Sequence, residues 1–173
     1  MASIKTLADA RTRLTILTTP PADLAAITAA ELSAGIEASC KVAKNGTRFS
    51  PTASDTMSDP AFCDEGNAQT LGPSNYEASL APFLYLDDTT GAYVALDNAV
   101  YEAAGVKGAE LVYVLRRGPK YDEPWAAGDR YKAYVAVSDN PQEPTETGGY
   151  IKENIPLLVQ RAELEGVVAA AGV

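Results

Sequence analysis

A chain of 173 residues, 46% of them hydrophobic, fits one domain with a real core and some appendages. Its 14 basic and 23 acidic residues leave a net charge of −9, which argues against a nucleic-acid grip, because that needs clustered Lys and Arg to displace counterions. Histidine is absent, which removes Ser-His-Asp and Cys-His nucleophile activation, most zinc and non-haem iron sites, and the usual switch near neutral pH.

No apolar run reaches eighteen residues and no basic n-region precedes an apolar h-region, so neither a membrane span nor an export signal is expected. Residues Met1 to Thr19 carry Lys5, Arg11 and Arg13 and a strand-like run Leu14 to Leu17, closed by Pro20-Pro21. This reads as an arm over residues 1–29 that either stays loose or adds a strand to a neighbouring subunit. Thr28 and Glu31 have capping-box spacing, but Gly35 follows so soon that only one or two helical turns fit. Ile36 to Val42 reads as a strand, and Asn45-Gly46 as a tight turn from which Thr47 to Ser50 begins a hairpin return.

The segment Lys44 to Ser74 is rich in Asn, Gly, Ser, Thr, Pro and Asp, and a compact domain rarely carries so long an irregular stretch without a use for it. Ordering it costs about 1–2 kcal/mol per residue, on the order of tens of kcal/mol in all. Its apolar residues Phe49, Met57, Phe62 and Leu71 return about 1.5–3 kcal/mol each on full burial, well short of that cost. The loop is therefore either mobile or ordered by packing against something else, and its spaced apolar residues favour packing.

From Asn75, Tyr76, Ala78, Leu80, Leu84 and Leu86 alternate with polar positions as a long strand interrupted by Pro82. Tyr93, Leu96, Val100 and Ala103 then stand at helical spacing and stop at Gly105, which makes this the one substantial helix. Ala109 to Arg117 reads as a strand buried on both faces, and Asp129 to Val137 as a half-exposed one with Arg130, Lys132 and Tyr134 outward. Trp125 in the loop between them covers a core edge or meets a partner. Tyr150 to Val159 is a last strand, and the tail 160–173 makes a short helix or frays. The fold class is mainly β with one substantial helix, a β-sandwich or open barrel flanked by that helix.

No chemistry gathers along this chain. Asp87-Asp88, Asp64-Glu65 and Asp122-Glu123 are adjacent pairs whose side chains diverge on extended backbone, poor geometry for acid–base work. Asp55, Asp59, Asp64 and Glu65 lack the spacing of a compact calcium loop. Cys40 and Cys63 are too few for a structural zinc site and read as separate thiols. Arg116-Arg117 at a strand end suits an anion or, more simply, a salt link to an acidic surface, which makes both candidates for inter-subunit ion pairs. No phosphate-binding glycine fingerprint occurs, and no enzyme, cofactor or metal site is expected.

Three phrases carry a family resemblance: Ala-Gly-Ile-Glu-Ala-Ser-Cys at Ala34 to Cys40, Asp59 to Gly66, and Ser74-Asn75-Tyr76-Glu77-Ala78. With the order of elements from Asn75 to Val159, the chain resembles the major tail (tail tube) proteins of long-tailed non-contractile bacteriophages, from about Ala30 onward. The resemblance implies a tail-tube-like domain over 30–159 that closes into rings, hexameric in that family, stacked into a hollow tube through which DNA passes without specific binding. It makes Lys44 to Ser74 the stacking loop, with Phe49, Met57, Phe62 and Leu71 as anchors in the next ring. It also implies an acidic lumen drawn from Glu77, Asp87, Asp88 and Glu110. The implied partners are copies of itself and the tape-measure, tail-tip and terminator proteins, within a virion tail assembled in the host cytoplasm. A β-sandwich binding or virion decoration module that contacts a ligand through the long loop is the alternative.

Overall fold

A computed structural model describes residues 6–59, 61–63, 66, 69–145 and 148–170. Its elements in chain order are β1 (Thr12–Leu17), α1 (Ala29–Ala34), β2 (Ile36–Glu37), β3 (Arg48–Pro51), β4 (Thr56–Met57), β5 (Thr70–Leu71), β6 (Tyr76–Leu80), α2 (Ala99–Ala104), β7 (Glu110–Arg117), β8 (Arg130–Ser138) and β9 (Ile155–Val167). Seven strands form one antiparallel sheet in the order β2-β1-β7-β8-β9-β6-β3, and β4 pairs with β5 apart from it. The sheet curls on itself. Val42 bridges Pro82 and the Ala43 N–H donates to Ala81 O at 2.8 Å, so the chain leaving β2 also pairs with the chain leaving β6. The fold is thus mainly β, as expected, although both helices are only six residues long.

The apolar alternation of the strands divides the core between the two faces of the curled sheet. Inside lie Leu14, Ile16, Leu80, Tyr113, Ile155 and Leu157, closed at one end by Val100 and Ala104 of α2. Outside, Leu17, Val112, Val114 and Val135 are covered by Ile27, Leu32 of α1, and Trp125. Trp125 is buried and its indole N–H donates to Thr15 Oγ1 at 3.1 Å, which places it on the core edge and not at a partner interface. Tyr131 fastens the outer cover: its hydroxyl donates to Leu24 O and accepts from the Ile27 N–H, both at 2.9 Å.

Several elements depart from the sequence expectation. Thr12–Leu17 is no detached arm, since all six residues pair with β7 of the same chain. The expected strand Ile36 to Val42 is cut to two residues by a turn at Ser39 to Lys41. Thr28 and Glu31 do form the capping box, with the Thr28 N–H donating to Glu31 Oε2 at 2.8 Å and the Glu31 N–H to Thr28 Oγ1 at 3.2 Å. The helix expected from Tyr93 begins only at Ala99, because tertiary pairing claims the preceding turn. Tyr93 bridges Leu86, and the buried Asn98 side chain accepts from the Tyr85 N–H and donates to Tyr85 O, each at 2.8 Å. Strand β8 is exposed only at Arg130 and Lys132; Tyr134 is buried. The last strand starts at Ile155, not Tyr150, and runs on to Val167 through the supposed tail.

Candidate assembly surface

The expected stacking loop is only partly irregular. Beyond the β3–β6 pair the two chains stay joined: the Thr52 N–H donates to Asn75 O at 2.8 Å, and Gly72 N–H to Asp55 O at 2.7 Å. The Asn75 amide adds bonds to Ala53 O and Asp55 Oδ1. The ladder then resumes in β4–β5, so the described residues between 51 and 76 form a two-stranded ribbon that leaves the sheet. A two-stranded ribbon with no third strand and no packed face is marginal in water by itself. Both residues of β4 and both of β5 are exposed.

Met57 and Leu71 are 66% and 78% exposed, and Phe62 is fully exposed. Thr56 faces Leu71 and Met57 faces Thr70, and directly paired residues share a face, so Met57 and Leu71 point to opposite sides of the ribbon. Phe49 does not join them. It is half-buried against the inner core, its ring centroid 5.1 Å from Tyr113 and 5.6 Å from Tyr134. Asp55 and Asp59 are on the ribbon, and Asp64 and Glu65 lie outside the described residues. Among the described residues no three Cys, Asp or Glu side chains converge as a metal site, and Cys40 and Cys63 are free and exposed.

The ribbon leaves at one end of the barrel, where β3 and β9 finish and β6 and β8 begin. The barrel is open there. A cavity of about 930 Å³ reaches in between Leu14, Phe49, Leu115 and Tyr134. Its lining carries five basic side chains, Lys44, Arg48, Arg117, Arg130 and Lys132, against two acidic ones, Asp9 and Glu165. Arg48, Lys44 and Arg130 are paired with Glu77 at 2.8 Å, Asp9 at 3.4 Å and Glu165 at 3.8 Å. Arg117 and Lys132 are exposed and enter none of the described ion pairs.

The two adjacent arginines part company here. Arg117 points to this mouth, whereas Arg116 is 1% exposed and tied within its own chain. Its guanidinium donates to Asp129 Oδ2 at 2.7 Å and to the carbonyls of Lys120, Glu123 and Pro124, and lies 4.9 Å from the Trp125 ring centre. Arg116 is a clasp for the 118–125 loop and is not available for an inter-subunit ion pair.

The opposite end, made by 84–110, 138–145 and 148–154, is acidic and apolar. Among the described residues there, Asp87, Asp88, Asp97, Glu102, Glu110, Asp139, Glu143 and Glu153 outnumber Lys107 and Lys152. Leu86, Tyr93, Leu96, Tyr150 and Ile151 are exposed among them, a patch with no counterpart in the sequence reading. The Asp87 turn is tightly built: its carboxylate accepts from the N–H groups of Thr89 and Thr90, and Gly91 N–H donates to Asp87 O. The bonds from Thr90 and Thr89 hold the Asp87 carboxyl below its usual value. Partial desolvation of its hydroxyl end, then the hydrogen bond and charge of Glu102, pushes the Tyr93 phenol up to about 12, although the ring is exposed. Of the four acidic lumen candidates, Glu77 is in an ion pair on β6, whereas Asp87 and Asp88 on this turn and Glu110 at the start of β7 stand exposed at the acidic end.

The sequence matches the phage tail tube protein family over residues 1–172. The chain belongs to that family. No curated protein matches it in sequence. In fold it is similar to a chain of the anti-feeding prophage baseplate, solved by cryo-EM with six-fold symmetry imposed, at a TM-score of 0.51 and 10% identity, with 96% of this chain and 98% of that one covered. This tail tube family member is a structural component of a virion tail.

Proposed function

We propose that this chain assembles into six-membered rings that stack into the tail tube of a phage with a long non-contractile tail, and that genomic DNA passes through the tube without specific binding. The observation that carries this reading is the 51–76 ribbon, which holds Met57, Phe62 and Leu71 in water on a two-stranded element that cannot bury them itself. Membership of the tail tube family and the six-fold baseplate neighbour support it. Copies of the same chain in the adjacent ring are the partners that cover both faces of the ribbon, and tape-measure, tail-tip and terminator proteins meet the tube ends. An acidic bore lets a polyanion slide without sticking. Asp87, Asp88 and Glu110, exposed and in none of the described ion pairs, are the candidates for it, whereas Glu77 is paired with Arg48.

Negative-stain microscopy beside a sizing measurement tests the reading. Rings or tubes are expected from the purified chain or on seeding with tail-tip complexes, and a monomer that stays monodisperse under both conditions overturns it. Replacing Met57, Phe62 and Leu71 together by Ser leaves the monomer folded, because exposed substitutions cost within about 0.5 kcal/mol each, but stops axial growth. Normal growth of that variant would show that the ribbon is not the clamp.

A further inference from the structure

Charge is divided between the two ends of this barrel, and the division is not visible in a net charge of −9. The mouth is rimmed by cations over an apolar floor, and two of them, Arg117 and Lys132, lack a carboxylate within the described residues. The other end presents a compact acidic turn with exposed apolar side chains beside it. A buried apolar floor is reached only by a group that brings apolar surface, and a cationic rim selects one that brings carboxylates.

We propose that the mouth is the receptor for a second copy of this chain, taking in the Asp87–Tyr93 turn from the opposite end of the next subunit along the tube. Asp88 and Asp97 meet Arg117 and Lys132, while Leu86, Tyr93 and Leu96 cover the floor formed by Leu14, Phe49 and Leu115. The cavity, about 930 Å³ in volume, is open at the mouth to side chains from outside. The turn is already set by its own hydrogen bonds, so little ordering cost falls on association. The contact is heterologous: unlike surfaces meet, and both remain unused at the ends of any assembly, which lets it extend along one axis. The ribbon leaves the barrel at the mouth end, so it reaches along the flank of the same incoming subunit.

This inference rests on the tail tube reading, and charge reversal separates the two. Arg117→Glu with Lys132→Glu, and Asp88→Lys with Asp97→Lys, each juxtapose like charges. Either pair is expected to raise the critical concentration for tube growth at least about tenfold, as like-charge contact costs several kcal/mol. Carrying all four substitutions in one chain restores the attraction with signs exchanged and returns growth to near the wild-type level. Wild-type growth also weakens between about 0.1 M and about 1 M salt, where the screening length falls from about 10 Å to about 3 Å. Circular dichroism establishes that each variant is folded. If either two-residue variant grows like wild type, or the folded four-residue variant fails to recover, the receptor assignment is wrong while tubes of the wild-type chain still uphold the tail tube reading. Failure of the wild type to form rings or tubes overturns both.

Discussion

Removing the Arg116 guanidinium should damage the monomer and not merely the assembly. Its two terminal nitrogens make four hydrogen bonds, one to Asp129 and three to carbonyls of the 118–125 loop, at 2.6–2.9 Å. Hydrogen bonds to charged groups contribute about 1.5–3 kcal/mol each, and breaking a buried ion pair costs about 3–5 kcal/mol in all because the terms do not add. Asp129 keeps 17% exposure and the Ala126 N–H as a donor, so its abandoned charge is partly solvated and the lower end applies. Arg116→Met is therefore expected to cost about 3 kcal/mol, a large part of the roughly 5–15 kcal/mol that holds a domain together. Arg116→Lys should recover little, since an ammonium cannot span the fork of acceptors. Urea unfolding of the monomer, followed by Trp125 fluorescence, reads the loss as a lower midpoint at unchanged slope. Variants with wild-type midpoints but no assembly would refute the clasp and return Arg116 to a subunit interface.

Phe49→Ala should cost the monomer about 2–3 kcal/mol, less than a fully buried Phe because the ring is half-exposed, and a variant of wild-type stability would refute its place in the inner core. Gly166→Ala should displace Tyr131, because a Cβ there would run into the Tyr131 ring, and free the 24–27 segment to faster amide exchange; unchanged exchange at Ile27 would count against that fastening. Burial pushes the Tyr113 phenol up to about 12. The folded value lies above the unfolded one of about 10, so its contribution to stability is full below pH about 10 and is lost as the pH climbs toward about 12. Absorbance at alkaline pH should show Tyr113 ionising with unfolding, and ionisation near pH 10 in the folded state would contradict its burial.

What was legible in the sequence was local. The capping box at Thr28 and Glu31 and the buried strand at Ala109 to Arg117 involve near neighbours, and both are found, the strand from Glu110. What was missed depended on remote pairing. The register of β9 against β8 shifts between Tyr131 and Ala133 and again between Val135 and Ala136, which inserts extra residues into β9. Its inward positions thus pass from Leu157 and Val159 to Ala162 and Leu164, and a period-two pattern that changes phase resembles a tail. The helix start at Ala99 was hidden likewise, because the claim of Tyr85 on Asn98 crosses thirteen residues. Arg116 and Arg117 were indistinguishable by type; only the strand's two faces separate a clasp from a rim. The cationic mouth was invisible for the same reason, its side chains being spread from Lys44 to Lys132.

That segregation also bears on how a strongly acidic chain associates with itself at all. At separations beyond a screening length of about 8 Å the copies carry their net charge of −9 behind counterions, and no orientation is preferred. On close approach the ends differ. Acidic end on acidic end, or mouth on mouth, adds like-charge repulsion to whatever apolar area is covered, whereas acidic end on mouth removes it. The repulsion acts as selection against the two symmetric pairings, each of which uses one kind of end twice and leaves only the other kind to meet the next copy. In the proposed stacking, head-to-tail contact alone leaves a free mouth and a free acidic turn after every addition, so the same charges that weaken indiscriminate association would give such a tube its polarity.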